Sequence, residues 1–387
     1  MDKRVVLAVA GAGKTYTLCK SINIGEKNLI LAYTNENVHN ITNELIKAHG
    51  QLPEKTTVMT FDRFIYNFIV CPYEATIRQF FNCEDFRRKG ITISKPPESS
   101  IKVGGGRRKN PFYCPKGELG HYHKESRYYC SLLSELIMDV KNRKVNLAKK
   151  AITNLNILFD KILIDEFQDF RNYDYELIST FIKYSNNILL VGDYYQHSVL
   201  GENNSGKPFS KTKKDEKGKK QIISYHEYIE LLEAKGVDVD TKTLCRTRRC
   251  PEKICQFISK KLGIEIEADN DHKGEVIFLE GASIIKVLDD DSVVKLVRQE
   301  SDEYSFKAVN WSYSKGDTYS NICVILSDNF STIDSEKFST QGISSLTINK
   351  MYVAMSRTAG NLYLVKWDEF KKIQDKYRKD ANFAPSV

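Results

Sequence analysis

The sequence predicts an α/β protein built on parallel sheets flanked by helices. Three apolar segments have the composition of buried strands, namely VVL at 5–7, ILI at 162–164 and ILLV at 188–191. A small-residue loop follows the first of them, and residues 16–22 then have the pattern of a helix. The order strand, loop and helix is the unit from which such folds are built.

The first strand runs into AVAGAGKT at residues 8–15. Such a loop lets successive backbone N–H groups point at phosphate oxygens, and the helix N-terminus adds its partial positive charge. Lys14 is placed to reach the β- and γ-phosphates, and the hydroxyl of Thr15 can bind Mg²⁺. Because Ala8 stands where G-x-x-x-x-G-K-[ST] has its first glycine, a tight turn before a helix is the alternative. The residues expected at the nucleotide are Ala10, Gly11, Ala12, Gly13, Lys14, Thr15 and Tyr16.

The second apolar strand ends in adjacent carboxylates, in the segment DEFQD at 165–169. Asp165 is expected to hold Mg²⁺ through water, with Thr15 as the other metal-site residue. Glu166 is expected to polarise the attacking water. A solvated acidic strand end would be the alternative for this segment alone. The two segments together, in this order, predict a site that binds and hydrolyses a nucleoside triphosphate.

Composition is typical of a soluble intracellular enzyme of two or three domains. The chain has 387 residues, 41% of them hydrophobic, and no apolar run near 18 residues, so no membrane span is expected. Its nine cysteines show no C-x-x-C pairs, as expected in a reducing cytoplasm. The loop begins close to Met1, so we expect no signal peptide. The net charge of +8 is weak evidence for a polyanionic partner.

The remaining motifs follow the order of a known family. They are LILAYTNENVHNI (29–41), VMTFDRF (58–64), ILLVGDYYQHSV (188–199), LCRTRRCPEKICQFI (244–258), NWSYSKGDTYSNICVIL (310–326) and MYVAMSRTAGNLYLV (351–365). With the two segments above, this series resembles the UvrD/Rep-like branch of superfamily 1 helicases, from motif I to motif VI, over residues 4–365. That family includes phosphate loops of the form A-x-A-G-x-G-K-T, which accounts for Ala8.

The resemblance implies that ATP, with Mg²⁺, is hydrolysed at the interface of two motor domains of the RecA type. It implies that Gln196 senses the γ-phosphate and couples hydrolysis to movement. It also supplies two catalytic arginines, Arg249 and Arg357, whose charge would stabilise the phosphoryl-transfer transition state. For Arg246 and Arg248, surface solvation is the expected role. The expected catalytic residues are Lys14, Glu166, Gln196, Arg249 and Arg357. The nucleotide-binding set consists of the loop residues 10–16 together with Gln196, Arg249, Gly316 and Arg357.

Contacts to single-stranded DNA are also implied by the resemblance. Hydroxyl, amide and guanidinium groups suit phosphate contacts, and an aromatic ring offers a stacking face. The residues implied are Thr34, Asn35, Thr60, Phe61, Arg63, Ser314 and Lys315. Phe61 has a core position as an equal alternative, and a core role is the expectation for Trp311.

The chain departs from the family pattern in several places. The segment that reads adenine ahead of the phosphate loop in relatives has no counterpart in the residues before Val5, so we expect a weaker preference for ATP over GTP. Thr318 stands where many relatives have a glutamate, and Val199 where they have a tyrosine near the strand-binding track. About sixty residues separate Arg249 from Tyr313, too few for the large helical insert of the second motor domain.

We expect the first motor domain at residues 1–205, with a small helical accessory insert at about 70–150, and the second at 206–387. Residues 95–120, rich in Pro, Gly and basic residues, are expected to form an exposed loop. Residues 200–222 contain seven lysines and three acidic residues, and are interpreted as a linker loop or as a basic flap over nucleic acid.

The leading function predicted is a 3′-to-5′ translocase or helicase acting on single-stranded DNA or on a junction of single-stranded and duplex DNA. The second is a DNA-stimulated ATPase subunit of a larger repair or phage-defence complex, with a partner such as a nuclease and little unwinding alone. The third is a nucleic-acid-binding scaffold without turnover. The presence of Lys14, Asp165, Glu166 and both arginines disfavours the scaffold.

Overall fold

The computed structural model describes residues 2–140, 146–197, 207–214 and 220–379. Within them the strands are β1 (Lys3–Leu7), β2 (Asn28–Ala32), β3 (Thr56–Thr60), β4 (Gly90–Thr92), β5 (Ser100–Val103), β6 (Gly106–Lys109), β7 (His123–Lys124), β8 (Arg127–Tyr129), β9 (Lys161–Ile164), β10 (Ile188–Gly192), β11 (Ser210–Lys214), β12 (Lys220–Ile222), β13 (Asp238–Asp240), β14 (Arg246–Thr247), β15 (Glu267–Ala268), β16 (Val276–Phe278), β17 (Val294–Val297), β18 (Ala308–Asn310), β19 (Ile322–Ile325) and β20 (Leu362–Val365).

The α-helices of the same residues are α1 (Lys14–Lys20), α2 (Asn35–His49), α3 (Phe61–Phe64), α4 (Glu74–Phe80), α5 (Leu133–Val140), α6 (Leu147–Leu158), α7 (Asn172–Tyr184), α8 (Tyr225–Glu233), α9 (Glu252–Leu262), α10 (Ala282–Leu288), α11 (Ser345–Met355), α12 (Trp367–Lys371) and α13 (Gln374–Tyr377). A π-helical segment, Ile65–Val70, continues α3.

Contacts between residues divide the chain into two compact units. The first contains Met1–Val5, Thr15–Val191 and Leu200–Val239, and the second contains Val6–Lys14, Gly192–Val199 and Asp240–Val387. The phosphate loop up to Lys14 is therefore assigned with the later motifs, whereas Thr15 is assigned with the first unit. The predicted boundary between motor domains at residues 205 and 206 lies outside the described residues and stays a prediction.

The first unit is built on a six-stranded sheet with the order β13-β1-β10-β9-β2-β3. The pairs β10–β9, β9–β2 and β2–β3 are parallel. Every residue of β2 and β10 is buried, as expected for strands covered by helices on both faces. Strand β10 separates the strand that leads into the phosphate loop from the strand that ends in the acidic pair.

The second unit has a five-stranded sheet with the order β16-β20-β19-β17-β18, and all its pairs are parallel. Strands β17 and β19 are buried throughout. One buried cluster of this unit contains Leu279, Ile284, Leu288, Val293, Val297, Tyr304, Phe306, Cys323, Ile325, Val365, Phe370 and Tyr377. The two parallel sheets and their helices confirm the predicted fold class.

The region from 70 to 150 is less helical than predicted. Besides α4, α5 and the start of α6 it contains five short strands: a three-stranded sheet of order β4-β8-β7 and the separate hairpin β5–β6. The hairpin lies within the segment predicted as an exposed loop. Its strands pair because Gly104 and Gly105 form a two-residue turn, with Gly104 at a φ of +60°. For residues 2–140, 146–197, 207–214 and 220–379, no helix has the length and apolar character needed to cross a bilayer.

Candidate nucleotide and nucleic-acid site

The sequence motifs lie where strands of the sheets end. In the first unit, β9 leads into Asp165, β2 into the segment with Thr34, and β3 into Phe61. Ala32 at the end of β2 is in register with Thr60 at the end of β3. In parallel α/β sheets, ligands bind outside the carboxyl ends of strands, so this edge is where a site is expected.

The phosphate loop approaches its surroundings closely. The N–H of Ala8 donates to the carbonyl of Gly192 at 2.8 Å, and the N–H of Arg248 donates to the carbonyl of Gly11 at 2.9 Å. Gly11 has a φ of +73°, and a Cβ at this position would lie 2.6 Å from Oγ1 of Thr247. Glycine is therefore favoured at position 11 by packing as well as by backbone conformation.

Two of the predicted loop donors are used inside the protein. The N–H of Ala12 donates to the carbonyl of Val9 at 3.3 Å, and the N–H of Ala10 donates to the hydroxyl of Tyr352 at 2.8 Å. Contacts of Ala10, Gly11, Ala12, Gly13, Lys14 and Tyr16 with a nucleotide therefore stay predictions. The ammonium of Lys20 lies 4.7 Å from the ring centroid of Tyr16, which is half-buried in α1.

The structure brings the two predicted metal-site residues together. The hydroxyl of Thr15 donates to Oδ2 of Asp165 at 3.1 Å, and Asp165 is buried. Its Oδ1 accepts the backbone N–H of Glu166 at 2.9 Å. One hydroxyl and one carboxylate suit Mg²⁺, which usually keeps several waters and completes its shell with substrate phosphates.

Glu166 lies on a tight turn at the end of β9. It has a φ of +52°, in the left-handed region that non-glycine residues seldom adopt. Its carboxylate accepts a hydrogen bond from the side-chain amide of Gln168, which is buried. The backbone conformation and the amide of Gln168 together restrict the direction of this carboxylate, and its role toward water stays a prediction. Gln168 was not predicted as a site residue.

Gln196 lies in a short 3-10 turn, Tyr194–Gln196, directly after β10, and is buried. The turn is held by Asp193, whose Oδ1 accepts the N–H of Tyr195 at 3.0 Å and whose carbonyl accepts the N–H of Gln196 at 3.0 Å. His197, next along, is within 3.1 Å of the side-chain amide of Asn349 on α11. The turn is therefore connected to α11 by buried polar contacts.

Tyr352, also on α11, completes this network. Its hydroxyl accepts the N–H of Ala10 and donates to Oδ2 of Asp193 at 3.4 Å. Burial, with the nearby charge of Asp193, raises the pKa of Tyr352 well above its ordinary value, so the hydroxyl keeps its proton. No local pattern predicts this contact, because Ala10 and Tyr352 are 342 positions apart and a helical tyrosine fits a core position equally well.

Arg249 and Arg357 lie side by side. Nη1 of Arg249 donates to the carbonyl of Ser356 at 3.1 Å, and Nη2 of Arg357 contacts Oγ of the same serine at 3.4 Å. Nε of Arg357 donates to the carbonyl of Val353 at 2.8 Å. Burial, and next the charge of Arg249, lower the pKa of Arg357 to about 10. Two neighbouring guanidinium groups repel each other, which favours an anion beside them.

The other two arginines of this segment point outward. Nε of Arg246 lies 3.1 Å from Glu267, and Nε of Arg248 lies 3.9 Å from Asp269; all four side chains are exposed. Cβ of Arg249, by contrast, is 2.7 Å from the position that a Cβ on Gly11 would take. Arg249 therefore packs against the phosphate loop, whereas the side chains of Arg246 and Arg248 are exposed; the catalytic role of Arg249 stays a prediction.

The predicted DNA contacts of the first unit share one sheet edge. Thr34 caps α2 and accepts the N–H of Asn37 at 3.1 Å, and Thr60 caps α3 and accepts the N–H of Arg63 at 3.4 Å. Thr34, Asn35 and Arg63 are exposed. The two threonine hydroxyls are used as helix caps, which fixes the adjacent polar groups at this edge.

Phe61 belongs to the core in this structure. It is 2% exposed, and its ring lies 4.9 Å from that of Phe170, centroid to centroid, and 6.4 Å from that of Phe64. This burial leaves no ring face on which a base could stack, so the core alternative describes its geometry. Trp311 is likewise buried, as predicted, and its indole N–H donates to the carbonyl of Leu296 at 3.2 Å.

The segment after β18 holds the remaining predicted residues. Ser314 is buried, and its hydroxyl donates to the carbonyl of Trp311 at 2.8 Å, so the hydroxyl is not presented at the surface. Lys315 is half-buried, and Gly316 is exposed with a φ of +97°. Ser314 therefore supports the turn, whereas contacts of Lys315 with DNA and of Gly316 with nucleotide stay predictions.

Comparison with solved structures finds similar chains at low identity. Arterivirus nonstructural protein 10 (helicase) in complex with DNA is 13% identical, with a TM-score of 0.43 over 94% of this chain and 60% of that one. Arterivirus nonstructural protein 10 (helicase) in a second crystal structure is 13% identical, with a TM-score of 0.45 over 94% and 59%. The PRRSV helicase is 13% identical, with a TM-score of 0.42 over 99% and 56%. The chain spans less than two thirds of these proteins.

Comparison with curated proteins returned no match. A family model described as an AAA domain matches residues 2–202, just over half of the 387 residues. The chain therefore belongs to the AAA domain family.

Proposed function

We propose that this protein is an ATP-dependent single-stranded DNA translocase or helicase of the UvrD/Rep type that moves 3′ to 5′. The observation that carries the proposal is the cation pair at the phosphate loop, where Arg249 packs on Gly11 and lies beside Arg357. Transfer of a phosphoryl group spreads negative charge over the equatorial oxygens, which two fixed guanidinium groups stabilise. Membership of the AAA domain family supports ATP as the nucleotide.

For hydrolysis we assign Lys14 to the β- and γ-phosphates, and Thr15 and Asp165 to Mg²⁺. The metal ion would neutralise charge on the phosphate oxygens. Glu166 would orient the attacking water and accept its proton, and the amide of Gln168 holds this carboxylate in place. The 3.1 Å contact between Thr15 and Asp165 supports this division of roles.

For coupling to movement we assign Gln196 and α11. Asp193 holds the turn that bears Gln196 and also accepts a hydrogen bond from the hydroxyl of Tyr352, which lies on α11 five positions before Arg357. A change at the γ-phosphate would therefore be transmitted to the helix that precedes the catalytic arginine. Buried polar contacts of this kind switch between discrete arrangements rather than deform gradually.

We assign the binding of single-stranded DNA to the sheet edge formed by the carboxyl ends of β2 and β3. Asn35 and Arg63 are exposed there, beside the caps Thr34 and Thr60, and their groups suit phosphate oxygens. Contacts to phosphates carry no sequence information, as a translocase requires. Lys315, a residue of the second unit, is also assigned to DNA binding on the basis of its motif.

The test is ATP turnover by the purified chain with and without a 40-nucleotide single strand, followed by strand displacement on duplexes with a 3′ or a 5′ tail. We expect turnover that rises with DNA and displacement of the 3′-tailed duplex. Turnover without displacement would instead support an ATPase subunit that needs a partner. Binding of DNA without any turnover would contradict the proposal and support a scaffold.

A further inference from the structure

The positive charge of this protein is concentrated in the insert. Residues 87–116 hold nine of the 58 lysines and arginines and one of the 50 acidic residues, which gives this segment a net charge of +8. The other 357 residues hold 49 of each sign and are neutral overall. Arg88 and Lys116 pair with Glu74 and Glu135 outside this segment, so the unbalanced charge lies mainly in the exposed residues 101–109. A local excess of positive charge is the electrostatic footprint of a polyanion site.

The structure gives this segment a defined shape. Strands β5 and β6 form an antiparallel hairpin in the register Ser100↔Lys109, Ile101↔Arg108, Lys102↔Arg107 and Val103↔Gly106. All residues from 101 to 109 are exposed. At the base of the hairpin, Asn110 is buried and its side-chain amide donates to the carbonyl of Glu98 at 2.8 Å. The hairpin thus projects from a fixed base.

Its two faces differ in chemistry. Residues paired across an antiparallel ladder share a face, and alternate residues of a strand share a face. Lys102, Arg107 and Lys109 therefore lie on one face together with Ser100, whereas Ile101, Val103 and Arg108 lie on the other. Glu98 is the acidic residue at this site, 3.3 Å from Arg107, and both side chains are largely exposed. An exposed pair of this kind is weak, so a phosphate can replace the carboxylate.

An exposed aromatic residue, Phe112, follows the hairpin three positions after Lys109. Phe112 is 81% exposed, and its backbone N–H donates to Oδ1 of Asn110 at 3.1 Å, so the asparagine at the base of the hairpin also holds the backbone at Phe112. Exposed cations and an exposed phenylalanine within one segment are the combination with which proteins bind single strands without sequence preference.

We propose that the hairpin β5–β6 is a second nucleic-acid site, where Lys102, Arg107 and Lys109 bind backbone phosphates of a single strand and Phe112 stacks on a base. The inference rests on the proposed function for the identity of the polyanion. The insert would then contribute to DNA affinity whether or not nucleotide is hydrolysed.

The test compares the wild-type chain with the triple variant Lys102→Gln, Arg107→Gln, Lys109→Gln. Affinity for a labelled dT20 strand is measured by fluorescence anisotropy without nucleotide, at salt concentrations from 50 to 300 mM. Each phosphate contact on a single strand contributes about 0.7 to the slope of log K against log salt. We expect the slope to fall by about 2 and the affinity to fall at least tenfold at low salt, with ATP turnover at saturating DNA retained.

The matched control replaces Lys253, Lys260 and Lys372 with Gln. These three side chains are exposed and pair with Glu275, Glu336 and Glu369, outside the insert. We expect this control to keep the wild-type slope. Equal losses in both triple variants would show a general charge effect and would overturn the proposal, as would an unchanged slope in the hairpin variant.

A further variant tests whether the bound nucleic acid is single-stranded. Phe112→Ala is expected to weaken binding to the single strand several-fold and to leave a blunt duplex unaffected, because paired bases offer no face to the ring. A loss confined to the duplex would contradict the single-strand assignment. The proposed function is tested separately, since wild-type protein without DNA-stimulated turnover contradicts that function, whereas stimulated turnover with unaltered binding by the hairpin variant contradicts only this inference.

Discussion

The hydroxyl of Tyr352 accepts a hydrogen bond from the backbone N–H of Ala10 at 2.8 Å, and both residues are completely buried. The same hydroxyl donates to Asp193. A single side-chain oxygen therefore joins the phosphate loop, the turn that bears Gln196 and the helix that precedes Arg357. An N–H buried without a partner costs about 1–3 kcal/mol, so this contact holds the loop in one conformation.

We expect Tyr352→Phe to lower ATP turnover about tenfold, because the loop loses the partner of its Ala10 N–H and Asp193 loses a donor. The measurement is steady-state kcat and KM with DNA present. Tyr377→Phe is the matched control, since Tyr377 is also buried in the second unit and donates to Asp289 at 2.8 Å, away from the loop. Both variants should lose thermal stability, and equal losses of turnover would show that Tyr352 is only structural.

Lys14→Ala is expected to abolish hydrolysis and to weaken nucleotide binding, because it removes the loop's cation. Glu166→Gln should keep nucleotide binding and stop turnover, since an amide cannot accept the proton of the attacking water. Binding of a fluorescent ATP analogue and release of phosphate measure the two effects separately. Near wild-type turnover in either variant would contradict the catalytic assignment.

Arg249→Ala is expected to reduce turnover about 10³-fold and to affect ADP affinity less, because the charge that it stabilises develops in the transition state. Arg249→Lys should restore little, since the planar fork of donors is lost. Arg357→Ala should have a similar kinetic effect, with circular dichroism to confirm folding because this side chain is buried. Single-turnover kinetics measures the rate of hydrolysis, and ADP titration measures the affinity for ADP.

Arg248→Ala is the control for the arginine variants, because its side chain is exposed and faces Asp269. Its turnover should stay within a few-fold of wild type. A loss equal to that of Arg249→Ala would mean that the catalytic position in this motif has been assigned one residue too late.

The contribution of two buried carboxyl groups, Asp174 and Asp62, to stability should fall as the pH rises from about 4 to about 7. Burial raises the pKa of Asp174 from 3.8 to about 7, and burial raises that of Asp62 to about 6. The folded state then binds more protons than the unfolded state within this window, so the free energy of unfolding decreases with pH and levels off above it. For Asp174 the shift corresponds to about 4 kcal/mol as an upper bound.

Asp174→Asn removes the larger of these two titrations. The variant should be more stable than wild type at pH 8 and should show a flatter profile between pH 4 and 7. Urea denaturation at five pH values checks both statements. An unchanged slope would show that Asp174 ionises at its ordinary pKa in the folded protein.

The sequence alone determined the α/β class, because buried parallel strands are continuous apolar runs such as 162–164 and 188–192. It also selected the residues that the structure brings together, Thr15 with Asp165 and Arg249 with Arg357. Thr15 and Asp165 were selected by the residue types of their two segments, whereas Arg249 and Arg357 were selected by the resemblance of their motifs to the family. The hairpin β5–β6, in a segment rich in glycine and basic residues, was predicted only as an exposed loop.

Tertiary structure decided which polar and aromatic groups face a ligand and which are used inside the protein. Phe61 and Ser314 belong to motifs, yet one packs among phenylalanines and the other caps a turn. Tyr352 became part of the site through a partner 342 positions away. Burial and hydrogen bonding at these positions depend on chain segments remote in sequence, and no local pattern encodes which of them will meet.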